Sequence, residues 1–416
     1  IGDIINTFKI RISWGQLGNQ QVSPYSDLAL IPLVNNQLNW LFKYGQSRPI
    51  GYTNTPGLVS PNLTWETATT KNLGFNSSFL NNRLKLEMDF FERLTTNMIG
   101  PSEPVPGVLG VSVPRSNNST LRTKGWEAAL RWDHKLTNSG FNYYVGANFY
   151  DARSHVTKYN NTTGLISDWY PGKEVGEIWG FTVNKLFQSQ EEVDSYLSQV
   201  DLSNIFNNWN PGDVKYEDIN GDGRVDRGAN TVDNPGDLKI IGNSTPRYQY
   251  GISLGASYKG FDFSLLIKGT AKRDYAVPVS GEQYVFWGVQ NWLFTSLQPV
   301  HLDYFRDRPG DKYVGLHDGD ANINLDAFWP KIYMDANQNR KNREPSTRYL
   351  LDASYMRIQN MQIGYTLPAE SLRKIRLQNV RIFLSGENLL TVTKLIKGID
   401  PIAIGSRNRM GMTYGA

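Results

Sequence analysis

Along much of this chain apolar and polar residues alternate one by one, the period of a β-strand whose two faces meet different surroundings. In RLKLEMDF, Leu84, Leu86, Met88 and Phe90 share one parity, and Arg83, Lys85, Glu87 and Asp89 the other. GWEAALRWD sets Trp126, Ala128, Leu130 and Trp132 against Glu127, Ala129, Arg131 and Asp133. FNYYVGANFY aligns Phe141, Tyr143, Val145, Ala147 and Phe149, and YQYGISLGASY aligns Tyr248, Tyr250, Ile252, Leu254, Ala256 and Tyr258. The pattern continues with Phe261, Phe263, Leu265 and Ile267 in FDFSLLIKG, and with Val380, Ile382 and Leu384 in VRIFLSGEN. In YMRIQNMQIGYTLP the phase slips between Met356, Ile358 and Met361, Ile363, Tyr365, Leu367. One extra residue near Asn360, a β-bulge, accounts for the slip.

The connections carry as much information as the strands. LNNR (Leu80 to Arg83), LTNSGF (Leu136 to Phe141) and YKGF (Tyr258 to Phe261) read as tight hairpin turns rich in Asn and Gly. PAESLRKIRLQN, Pro368 to Asn379, is a longer link. Between these lie long segments, roughly 18–65, 96–121, 160–247 and 271–352, of a length that in compact domains is rare and usually functional. Within one of them SQEEVDSYLSQV, Ser189 to Val200, has the Ser and Glu spacing of a short capped helix. An up-and-down sheet with this alternation gathers its short turns on one rim and its long loops on the other. That is the asymmetry of a transmembrane antiparallel β-barrel with long extracellular loops. About ten or eleven strands can be counted, too few for strands of this length and loops of this size to close alone. An open sheet has unpaired edges that lipid cannot satisfy, so further strands are expected outside the sequence.

Composition agrees with such a wall without requiring it. Hydrophobic residues make up only 39% and charged residues 20%, and no run of about 18 apolar residues occurs, which excludes a transmembrane helix but not strands. Aromatic residues reach 12%, which suits interfacial girdles, and Trp126, Trp132, Tyr143, Tyr250 and Tyr258 lie on the apolar parity where a girdle would stand. Cysteine is absent, compatible with passage through an oxidising compartment. The net charge of +4 includes no basic block, so nucleic acid is not an expected partner. The chain begins IGDIINTFKIRISWG, without Met or a signal-peptide core, and is expected to be an internal stretch of a longer protein.

Two features carry candidate chemistry. DINGDGRVD places Asp218, Asn220, Asp222, Arg224 (through its carbonyl) and Asp226 at the first five ligand positions of a calcium loop, with Gly223 at the sharp turn. Position twelve is Ala229, so the closing carboxylate is missing and Asp233 or Asp237 would have to replace it. No amphipathic helices flank the loop, so the alternatives are one structural calcium ion or a metal-free Asx-rich turn. The long loops also concentrate aromatic rings: Trp40, Trp169, Tyr170, Tyr284, Trp287, Trp292 and Trp329 are candidates for contact with a ligand or a covering partner, the alternative being packing within the loops. No G-x-S-x-G, H-E-x-x-H or P-loop occurs, and the four His residues lack metal-ligand spacing. No catalytic residue is therefore expected.

Several segments together resemble the SusC/RagA family of TonB-dependent outer-membrane transporters of Bacteroidota. They are PNLTWETATTKNLGFNSSFLNNRLKLEMDFFERLTTNMI, KGWEAAL, GDVKYEDINGDGRVD, IIGNSTPRYQYGISLGASYKGFDFSLLIKG, YMRIQNMQIGYTLP and RIFLSGENLLTVTK, in the family's order. The resemblance implies that residues 1–416 are the C-terminal part of a barrel of about 22 strands, with a plug domain and the remaining strands upstream. It further implies energy from TonB, a SusD-like surface lipoprotein as lid, and import of oligosaccharides or oligopeptides across the bacterial outer membrane. The family usually has an acidic residue where Ala229 stands, and RGANTVDNPGDL looks like an insertion there. Two other classes are a secreted, calcium-stabilised, β-rich carbohydrate-active enzyme and a passive barrel without transport. Extraction separates them, because a barrel needs detergent and a secreted enzyme does not.

Overall fold

The alternating segments become one antiparallel sheet, in which each long strand lies beside its neighbours in sequence. Its members are β1 (Ile5–Asn19), β2 (Glu66–Phe79), β3 (Leu84–Pro101), β4 (Arg115–Leu136), β5 (Phe141–Lys158), β6 (Arg247–Tyr258), β7 (Phe261–Lys272), β8 (Tyr355–Thr366) and β9 (Arg381–Thr393). The structure, a computed structural model, describes residues 4–20, 33–34, 39–43, 46–49, 52–53, 58–60, 63–102, 115–136, 139–277, 299–311, 316–333, 338, 340–368, 370, 372, 376–397 and 399–404. Among them no helix is long and apolar enough to cross a membrane.

The three tight turns fall where the Asn and Gly signals place them. Tyr258 pairs directly with Phe261 across a two-residue turn in which Lys259 and Gly260 both have positive φ, the conformation that twists in the same sense as the strands. Leu80, Asn81 and Asn82 also have positive φ at the β2–β3 turn, and Asn tolerates this better than most residues. Leu136 pairs with Phe141 at the third turn. Short and long connections therefore alternate along the sheet.

Register then sorts the side chains. Leu84, Leu86, Met88 and Phe90 face Trp132, Leu130, Ala128 and Trp126 across β3–β4. These in turn stand beside Val145, Ala147 and Phe149 of β5, followed by Leu254, Ile252 and Tyr250 of β6. The same row runs on through Leu265 and Ile267 of β7 to Ile363 and Leu384 of β8 and β9. One face of the whole sheet is thus apolar, and it is open: Phe90 is 42%, Leu130 43% and Ile363 50% exposed. The other face is polar. There Arg11 reaches Asn76 at 2.6 Å and Asp89 at 2.7 Å, while Asn72 donates to the second Asp89 oxygen at 2.7 Å. Gly74 leaves room for this cluster, since a Cβ would lie 2.3 Å from Asp89 Oδ1.

The phase slip in β8 is a bulge at Gln359. Ile358 pairs with Ile267 and Asn360 with the adjacent Leu266, so Gln359 has no partner on β7 and the apolar parity is restored beyond it.

Among the described residues nine strands build the sheet, against the ten or eleven counted from the sequence. The remaining short ones pair with each other inside the loops: Leu33–Val34 with Tyr52–Thr53, Asn39–Lys43 with Gln46–Pro49, Glu177–Gly180 with Lys239–Asn243, Val183–Leu186 with Val214–Tyr216, and Asp274–Ala276 with Leu350–Asp352. These loops hold the hydrophobic core. Phe181, Phe187, Trp209, Val214, Tyr216 and Val225 from the β5–β6 connection pack with Phe305, Trp329 and Tyr349 from the β7–β8 connection. Each ring removed from water contributes about 1.5–3 kcal/mol, so the long loops form a folded body with its own drive to compact.

Candidate functional site

The loop body stands at the rim opposite the tight turns, and its inner polar groups are used to join its two segments. Asp213 and Lys341 meet at 2.6 Å with both side chains fully buried. The carboxylate also accepts from Asn342 Nδ2 and the Asn210 N–H at 2.8 Å and from the Tyr333 hydroxyl at 2.9 Å. Burial pushes the Asp213 carboxyl up and the Lys341 ammonium down, and each is held back by the charge and hydrogen bond of the other. Tyr216 donates to the Lys341 carbonyl and Tyr349 to the Asn342 carbonyl. Helix α1 (Gln190–Leu197) begins at Ser189, which accepts from the Glu192 N–H, and its Val193 enters the core. Its acidic side is not simply solvated, because Glu192 binds Lys215 at 2.9 Å and accepts from the Gln188 N–H at 2.8 Å.

The expected ligand-contact aromatics divide. Trp329 is a correction: it is 4% exposed, stacked near Tyr349 and edge-on to Phe328, so its ring is core and its faces are taken. Trp169 and Tyr170 remain half-buried near the surface of the β5–β6 loop. Trp169 packs beside Tyr159 at 5.9 Å, and Tyr170 is held by its hydroxyl on Glu177, to which Trp179 also donates. Burial and the adjacent Glu177 carboxylate both raise the Tyr170 hydroxyl pKa, so the phenol stays neutral. The side chain of Trp40, and the residues Tyr284, Trp287 and Trp292, lie outside the described residues.

In the Asp218–Asp226 loop the would-be ligand oxygens are turned onto the chain itself. Asp218 accepts the N–H groups of Gly221 and Gly223, Asn220 that of Asp222, and Asp222 that of Arg224. Asp226 accepts from Gly228, and fully buried Asp237 accepts from Ile219 and Asp226. The Arg224 guanidinium lies 3.7 Å from Asp222 and 4.0 Å from Asp226, and a cation there competes with any metal. Among the described residues no group of three or more His, Asp or Glu is placed to hold a metal ion. Asp237 is the residue whose closing role sequence spacing hinted at, and it closes the loop through backbone N–H groups.

On the polar face of the sheet, Glu87, Asp89, Glu127, Asn148, Gln249 and Lys268 line a concavity of about 420 Å³. Its carboxylates, amides and ammonium are groups able to hydrogen-bond hydroxyls, amides and charges.

An up-and-down sheet with one continuous apolar face, one polar face and segregated turns defines the wall of a membrane-type β-barrel. The chain belongs to the TonB-dependent receptor family: residues 3–389 match the model described as "TonB dependent receptor-like, beta-barrel". Among curated relatives, TonB-dependent receptor P3 of Formosa agariphila is 26% identical over 99% of this chain and 38% of its own length. TonB-dependent receptor SusC of Bacteroides thetaiotaomicron is 24% identical over 96% of this chain and 35% of its own. A solved structure of the RagAB peptide importer in the open-open state superposes with a TM-score of 0.66 at 20% identity, covering 96% of this chain and 38% of that one. The chain thus spans little more than a third of the relatives it matches.

Proposed function

We propose that this chain is part of the barrel wall of a transporter that imports oligosaccharides across a bacterial outer membrane, driven through TonB and capped by a SusD-like lipoprotein. The apolar face meets lipid, and the polar face lines the lumen in which a plug domain sits. The observation that carries the reading is the exposed apolar face that runs unbroken across the sheet, joined to the family match over residues 3–389. A secreted enzyme would have to cover that face. The two edges, β1 and β9, each pair on one side only among the described residues, so a wall in lipid needs further strands between them. Half-exposed Trp169 and Tyr170, next in the chain to the exposed Asp168, suit sugar faces and hydroxyls. Oligopeptide import is the second reading, favoured by the likeness to the RagAB importer.

The test is uptake by a strain lacking the full-length protein. Loss of import of a defined oligosaccharide, with peptide import intact, is the expected result. Loss of peptide import alone selects the second reading, and no loss of either ends the transport proposal. For the Asp218–Asp226 loop the hydrogen bonds favour the self-closed turn over a calcium site. Calcium added to chelator-treated protein should leave its unfolding temperature unchanged. A rise that Asp218→Asn abolishes would restore the ion.

A further inference from the structure

The outer face of β3 to β6 changes character abruptly along one line. Phe90 stands opposite Trp126, and Phe149 opposite Tyr250 one step nearer the tight turns, so the rings form a staggered border across the four strands, with Asp151 facing Trp126. From Leu136 at the tight-turn rim to Trp126 is about ten residues, ~33 Å of strand, which at the usual tilt spans the ~25 Å of an apolar band. The next positions on the same face are charged. Lys124 stands directly opposite Arg153, and Arg122 directly opposite His155, on neighbouring strands. Like charges set opposite one another, as Lys124 and Arg153 are, destabilise a sheet, so this pair is costly unless an anion lies across it.

The carboxylates nearby only partly supply one. Glu92 is shared between Arg122 at 3.5 Å and Lys124 at 3.6 Å, and Glu174 between Arg153 and His155, both at 3.8 Å. All four separations exceed a good charge-assisted hydrogen bond. Asp151, by contrast, is taken up by Arg247 in a buried two-bond pair. A cleft of about 530 Å³ opens beside Trp126, lined by Arg122, Lys124, Asp151, Arg153, His155 and Arg247. Cations that stand just past the ring row lie at the depth of lipid headgroups.

We infer that this cleft binds the phosphate of a membrane-lipid headgroup, with Arg122, Lys124 and Arg153 as the recognising groups and Trp126 against the top of the acyl chain. This rests on the membrane-spanning reading above, but not on what is transported. The site would fix the depth of the wall in the membrane and hold the loop body through Glu174 at a set height above it.

The test uses the full-length protein in phosphatidylcholine nanodiscs doped with phosphatidic acid, with retained lipid counted by native mass spectrometry. Wild type should retain phosphatidic acid about tenfold over phosphatidylcholine. Arg122→Gln/Lys124→Gln/Arg153→Gln should abolish the preference, whereas Lys85→Gln at the far end of the polar face should keep it. Glu92→Gln removes a competing carboxylate and should raise retention, a gain that no misfolded variant would give. Equal retention of the two lipids by wild type overturns the proposal. So does retention unchanged in Glu92→Gln, or displacement of the lipid by millimolar inorganic phosphate. Loss of the co-purifying lipoprotein from the triple variant with lipid retention intact would make the patch a protein contact and also overturn it. Recovery of the native protein without detergent would instead fell the membrane reading itself.

Discussion

Asp213 and Lys341 show what single residues do in this chain. Two charges taken wholly out of water are tolerable only because hydrogen bonds from Asn210, Tyr333 and Asn342 reach the carboxylate and the ammonium also donates to the Asn208 carbonyl. Lys341→Met keeps the stem and deletes the charge, leaving a lone carboxylate in the core. We predict a loss of about 3–5 kcal/mol in the stability of the loop body, read by protease resistance. The carboxyl would then titrate still further above its unfolded value of 3.8, which burial already exceeds. A raised folded pKa stabilises below the unfolded value and is lost as pH rises, so the deficit should grow as pH rises from about 4 and shrink as it falls back. None of this was legible beforehand, because a lone Asp and a lone Lys separated by more than a hundred positions carry no local signal. The girdle rings were legible, since period-two parity alone puts Trp126, Trp132, Tyr143, Tyr250 and Tyr258 on the apolar side. Trp329 takes the packing alternative, which no local signal marks: a loop Trp looks the same in sequence whether it is packed or presented.

At the scale of the element, the bulge in β8 shows how strictly parity is kept. Met356 and Ile358 sit an even step from each other and an odd step from Met361 and Ile363, yet all four share a face because Gln359 drops out of register with β7. Deleting Gln359 removes the compensation and turns one half of the strand inside out. The variant is expected to lose the heat-modifiable folded band on electrophoresis, while Gln359→Ala, which keeps the residue count, should retain it. The strands and this bulge could be read from sequence because alternation is imposed by two different solvents. The short strands inside the loops could not. Three to five residues with no half-buried face leave no period to count, and their pairing partners lie far along the chain.

For the molecule as a whole, the apolar face is the property on which the membrane reading turns, and it gives a paired prediction. Leu130 lies mid-band on the apolar face, and Ala129 lies beside it on the polar face between Glu87 and Asn148. Leu130→Arg should cost about 2–4 kcal/mol in folding into lipid vesicles. Ala129→Arg, one residue away, should change it by no more than about 0.5 kcal/mol. Equal costs would mean that the two faces do not meet different media.

The loop body carries a consequence for how such proteins diversify. Its interior is shared between two stretches of chain more than a hundred residues apart: Phe181 bonds to Pro345 through the main chain, and the Val214 N–H donates to Asn342. Grafting either stretch alone from a relative would bring half a jigsaw. The two are therefore expected to travel between homologues as a pair, so that a new loop body arrives as one coupled exchange of both, not as drift in one.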